Sequence, residues 1–170
     1  RRAIAEDLGR ARRELLQTGD AARRASLADC SFHLPEPLAA AKEVFDLGDH
    51  QVEVRHLGPA HTAGDVIVWS AAEKVLASGD LFLHDASPSL GEGSTRGWLA
   101  ALQTLIALGP RHVIPGHFAP AQVAALGRFR AYLQAQWDRA AAAIAKGATV
   151  EQVAAQASFP EFAAFRQHPE

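Results

Sequence analysis

Val52-Glu53-Val54-Arg55-His56-Leu57 runs straight into Gly58-Pro59-Ala60-His61-Thr62-Ala63-Gly64-Asp65, and the reading of that junction decides the fold. An alternating apolar run predicts a strand; Gly and Pro then stop it by supplying special dihedrals and removing a ladder donor. A potential metal ligand, His61, comes directly after the stop. Two further stretches share this layout. Lys74-Val75-Leu76-Ala77 passes through Ser78-Gly79 to Asp80, and Arg111-His112-Val113-Ile114 passes through Pro115-Gly116 to His117. Ligands set just past strand ends would lie along one rim of a sheet, on loops held by a rigid scaffold. Two imidazoles and a carboxylate are donors that a divalent zinc or iron ion accepts.

Working outward, Val66-Ile67-Val68-Trp69 is continuously apolar and predicts a strand covered on both faces. Ala71-Ala72-Glu73 is short enough for a hairpin turn into the strand from Lys74, which is expected to end at Ser78. Ser94 and Thr95 are N-cap residues for a helix over about Arg96–Leu108, with Trp98, Leu102, Leu105 and Ile106 as its buried stripe and Gly109-Pro110 as its stop. A longer helix is expected from about Pro120 to Lys146, with Val123, Leu126, Phe129, Leu133, Trp137, Ala140 and Ile144 inward. Thr149-Val150-Glu151-Gln152 has the form of a capping box, and Phe159, Phe162 and Phe165 read as packing. Upstream, residues 1 to about 28 read as helix broken at Gly19-Asp20, with Ile4, Leu8, Ala11, Leu15 and Leu16 at helical spacing; Phe32 to Asp49 reads as a Pro-rich connection. Strands alternating with helices make this an α/β protein, with a crossover between the strands of Asp80 and His117.

Composition bounds the function. A length of 170 residues, 48% of them hydrophobic and 21% charged, is enough for one globular domain with a real core. A net charge of -2 gives no nucleic-acid or membrane footprint, and no apolar run approaches the roughly 18 residues of a membrane span. The first 28 residues hold seven Arg against four acids, but interleaved acids and the lack of aromatic residues favour a solvated helix face over a nucleic-acid arm. The lone Cys30 has no internal partner. The chain starts at Arg1 and has no Met, so it is expected to be an excised piece whose true beginning is missing, and its compartment, bacterial cytoplasm or periplasm, stays open.

The segments Pro59-Ala60-His61-Thr62-Ala63-Gly64-Asp65, Ser78-Gly79-Asp80-Leu81-Phe82 and Ile114-Pro115-Gly116-His117, in this order and spacing, resemble the metallo-β-lactamase-fold hydrolases over roughly Leu47 to Lys146. The likeness is to the environmental, quinoprotein-associated branch, and is looser to glyoxalase II. It implies half of an αββα sandwich: a helical connecting region over 1–46, the C-terminal half of the domain over 47–146 and a helical tail over 147–170. It further implies His61 as ligand of a first zinc, Asp80 as the catalytic carboxylate bridging to or serving a second zinc, and His117 as ligand of the second. The implied activity is zinc-dependent hydrolysis of an ester, thioester, lactone or amide-type bond in a small molecule. The family's H-x-H-x-D-H motif is not found: His33, His50 and His56 are isolated. The chain alone is therefore expected to hold zinc weakly or not at all and to have little activity. Half a sandwich also exposes an apolar sheet face, so a homo-oligomer, a domain swap or association with the missing half is expected.

Other residues carry less. Asp65 is placed to bond back to the His61 loop or to orient a ligand, and His84 either to contact substrate or to sit on a surface loop. Trp98 reads as core with an edge towards the pocket; His56 and His112 read as structural, and His50 and His168 as solvent-facing. Ser87 and Ser89 have no base at catalytic spacing, so nucleophilic catalysis has no support. The alternatives are a non-catalytic interaction module that keeps the fold without metals, and a one-iron oxygenase.

Overall fold

A computed structural model of the chain describes residues 13, 17, 21–28, 38–90, 93–155 and 158–167. Residues 1–39 and 40–170 form separate compact units. In the first, helix α1 spans Ala21–Ala28; Ile4, Leu8, Ala11, Leu15, Leu16, the Gly19-Asp20 break, Cys30 and His33 lie outside the described residues, as does His168 at the other end.

The second unit is built on one sheet. Strands β1 (Lys42–Asp46), β2 (Gln51–His56), β3 (Val66–Ser70) and β4 (Val75–Leu83) form an antiparallel meander. The short β5 (Ala86–Ser87) follows, then helix α2 (Thr95–Ala107), which returns the chain to β6 (His112–His117), parallel to β4. The sheet order is β1-β2-β3-β4-β6. Helices α3 (Val123–Ile144) and α4 (Val150–Ala155), a 3-10 turn at Pro160–Phe162 and strand β7 (Arg166–Gln167), paired with β5, complete the unit.

The capping signals hold. Ser94 accepts the Gly97 backbone N–H at the start of α2, and Thr149 and Gln152 bond reciprocally at the start of α4. Trp98, Ala101, Leu102 and Leu105 of α2 and Leu126, Phe129, Tyr132 and Leu133 of α3 pack with Ile67, Trp69, Leu76 and Val113 of the sheet. Phe159, Phe162 and Phe165 surround the Tyr132 ring at 5.0–5.8 Å.

Four expectations are corrected. First, the connection from Phe32 to Asp49 contains strand β1, which forms because Gly48 (φ 97) and the Asp46 carboxylate, accepting the Gly48 N–H, turn Glu43-Val44-Phe45 back onto β2. Second, β4 does not end at Ser78 but runs through Gly79 and Asp80 to Leu83, with shifts of register at Gly79. Likewise β6 continues through Pro115 and Gly116 to His117; β6 pairs in the sheet only with β4, so a Pro costs it little there. Third, Val66-Ile67-Val68-Trp69 is covered on one face only: Ile67 and Trp69 are buried, whereas Val66 and Val68 are about 40% exposed. Fourth, the buried stripe of α3 stops at Leu133; Trp137 and Ile144 are exposed.

Register makes the two faces explicit. One row of neighbours, Glu53, Trp69, Leu76 and Val113, faces the helices. The next, Glu43, Val54, Val68, Ala77 and Ile114, lies on the opposite face, where Val68 and Ile114 are exposed.

Candidate metal centre

His61 is delivered by a loop clamped from two sides. Gly58 (φ 91) turns the chain out of β2, and Ala60 is fully buried. The Ala60 carbonyl accepts the Ser94 backbone N–H at 2.7 Å. Gly93 and Gly97 press on the same loop so closely that a Cβ on either would lie 2.2 Å from Ala60 O or 2.0 Å from Pro59 O. On the other side, Asp65 accepts from both the backbone N–H (2.9 Å) and the hydroxyl (2.6 Å) of Thr62, closing a short turn. The Asp65 carboxylate thus bonds back to the loop, and its own carbonyl accepts from His56 Nδ1 at 2.8 Å, which gives that strand histidine its structural work.

Asp80 sits where β4 and β6 change register, and Gly116 makes room for it. A Cβ on Gly116 would lie 1.9 Å from Asp80 Oδ1 and 2.9 Å from its backbone nitrogen. His61 Nε2 approaches Asp80 Oδ2 at 3.8 Å, and His117 Nε2 approaches Oδ1 at 3.4 Å. The three residues set apart by sequence therefore do come together, each imidazole facing its own carboxylate oxygen. The layout that delivers them differs from the expected one: His61 stands on a loop, Asp80 and His117 within strands.

The donor chemistry, two imidazoles and a carboxylate, is of a kind that a divalent ion accepts. With bonds of about 2.1 Å, the edge of a ligand tetrahedron is about 3.4 Å, close to the two approaches seen. The contacts are nevertheless pairwise: among the described residues no group of three or more His, Cys, Asp or Glu side chains converges on one point as a closed centre. An ion held here would need further ligands.

Trp98 is both core and wall. It is fully buried, donates from Nε1 to the Leu81 carbonyl at 2.9 Å, and lies 5.0 Å ring to ring from His61. His61 Nδ1 is buried against this side with no hydrogen-bond partner. His84 donates from Nδ1 to the Ala119 carbonyl at 2.8 Å, which ties the end of β4 to the turn after His117. Sequence reading took Gly116 as part of a strand stop and missed its close approach to Asp80, and it did not single out Phe118. The approach could have been read, since a strand glycine beside a candidate ligand signals it.

A mixed sheet backed by helices, with His61, Asp80 and His117 gathered at its parallel strand pair, defines an α/β fold. Residues 34–117, just under half of the chain, match the model of the metallo-beta-lactamase superfamily. The DIM-1 metallo-beta-lactamase, in a crystal exposed to ceftazidime, is similar at 24% identity and TM-score 0.51, over 56% of this chain and 45% of that one. A metallo-beta-lactamase from Pontibacter korlensis is similar at 24% identity and TM-score 0.54, over 72% of this chain and 61% of that one. TMB-1 is similar at 21% identity and TM-score 0.53, over 68% and 55% respectively. At these identities the likeness is one of fold, and it bears out the mixed sheet with flanking helices. The chain spans about half the length of these structures. No curated protein matches it.

Proposed function

We propose that this chain supplies the C-terminal half of a zinc-dependent hydrolase, whose substrate is a small molecule with an ester, thioester, lactone or amide-type bond. The observation that carries this reading is the convergence of His61 Nε2 and His117 Nε2 on the two oxygens of Asp80. These three residues would hold metal, and a bound divalent ion supplies a water of lowered pKa and a positive charge beside the bond attacked. The chain's own residues do the positioning. Asp80 holds the two imidazoles on either side of one carboxylate, Gly116 permits that carboxylate to lie against β6, and Trp98 keeps water from the inner side of His61.

Further ligands must come from elsewhere, and the open sheet face is where their carrier would dock: a complementing half, a swapped segment or a second copy. Metal content and an ester, thioester and lactam panel on the full-length protein test the reading. The expected result is bound zinc and hydrolysis, both lost in Asp80→Ala; a metal-free protein, or hydrolysis that survives Asp80→Ala, overturns it.

One observation favours the second reading, a metal-free interaction module. For His61 to offer Nε2 to an ion its ring proton must sit on Nδ1, and that atom is buried with no acceptor. A full-length protein free of metal, yet forming a stable complex through the open sheet face, decides for the module.

A further inference from the structure

The turn that follows His117 is held in a conformation its residues do not choose. Phe118 has φ 73, in the left-handed region where a Cβ is crowded, a backbone state that persists only when its surroundings impose it. Among the described residues, two contacts hold the turn. From β4, His84 Nδ1 bonds the Ala119 carbonyl. From the far end of the described chain, the Arg166 guanidinium lies over the Phe118 ring, 4.8 Å from its centroid. Arg166 is itself fixed by its backbone, because its N–H donates to the Asp85 carbonyl at 3.0 Å and β7 pairs with β5. Asp85 is a second residue with positive φ (50), and its carboxylate is bonded by Arg128 at 3.2 Å. One arginine thus joins two strained turns, one at the end of β4 and one beside His117. The Phe118 and His117 rings are 6.3 Å apart, so a swing of Phe118 is felt at the imidazole.

We propose that Arg166 is a positioning residue: by covering Phe118 it fixes the turn that aims His117 at Asp80, so that the C-terminal strand acts as a latch on the site. The proposal rests on the metal-centre reading for its importance to activity, but not for its geometry. Arg166 acts through Phe118 and touches neither Asp80 nor a reacting group. A cation over an aromatic face, with its stem along the ring, is a contact that lysine keeps in part and alanine loses.

The test uses the full chain, metal-free, with labelled histidine, following the ring signals of His61 and His117 by long-range proton–nitrogen NMR, each assigned by a His→Gln variant. Arg166→Ala, Arg166→Lys and the parent are compared, with thermal melts alongside. Side-chain replacement leaves the backbone bond to Asp85 in place. Arg166→Ala is expected to shift or split the His117 ring signals while those of His61 stay put, and Arg166→Lys to restore most of the parent pattern. Unmoved His117 signals overturn the proposal, as do equal shifts at both histidines with a lowered melting temperature. Because the readout needs no metal, its failure is separate from failure of the metal reading, which shows as absence of cobalt absorption bands in the full-length parent protein.

Discussion

Gly116 allows a sharp prediction at the scale of one residue. A methyl group there would overlap Asp80 Oδ1 and press on the Asp80 backbone, so either the carboxylate or β6 must move. Gly116→Ala should cost about 1–3 kcal/mol in urea unfolding, the usual range for forcing atoms into a packed site. It should also move the His117 ring signals; unchanged stability together with unchanged signals would contradict the geometry. Trp98→Phe removes the donor to the Leu81 carbonyl and leaves a buried acceptor unsatisfied, for an expected loss of about 1–3 kcal/mol in the same measurement. The identities of His61, Asp80 and His117 were legible because Gly and Pro beside a ligand-type residue form a local pattern. Their delivery was not, since whether Gly79 or Pro115 ends a strand depends on what β4 and β6 offer each other across 35 residues of chain. Phe118 was illegible for the same reason: Arg166, which lies over its ring, is far along the sequence.

For the elements, local chemistry served better. Caps and stripes in α2 could be read directly, because Ser94 and Trp98 act within one or two helical turns. Ser94→Ala should lower stability by about 1 kcal/mol through loss of the cap, read from thermal unfolding. Strand β1 escaped notice because its five residues mix charge with apolar groups and gain meaning only when paired to β2. That pairing places Lys42 by Glu53, while Arg55 bonds the same carboxylate and holds it below the usual Glu range. A carboxyl lowered in the folded state contributes stability that is in full force above its unfolded value, 4.5, and is lost as pH falls below it. Melting temperature should therefore drop between neutral pH and pH below 4.5 by less in Glu53→Gln than in the parent; equal drops would remove this pair from the account.

On the scale of the whole molecule, the two faces of the sheet differ: Ile67 and Trp69 are buried on one, while Val66 and Val68 are partly exposed on the other. Val54, Val68, Ala77 and Ile114 line up across four strands, with Val68 and Ile114 exposed, although Val66-Ile67-Val68-Trp69 reads in isolation as a strand buried on both faces. Val68→Lys should leave the stability of this chain within about 0.5 kcal/mol, since the side chain is partly solvated already. It should lower the apparent mass by sedimentation at micromolar concentration, and an unchanged mass would show that association, if any, uses another surface. The parallel pairing of β4 with β6 has a kinetic consequence too. The four-strand meander needs only short closures, but Leu76 must find Val113, and only then can His117 reach Asp80. The chemical cluster is accordingly a late product of folding: species trapped early on the way to the native state would carry the hairpins and lack the site.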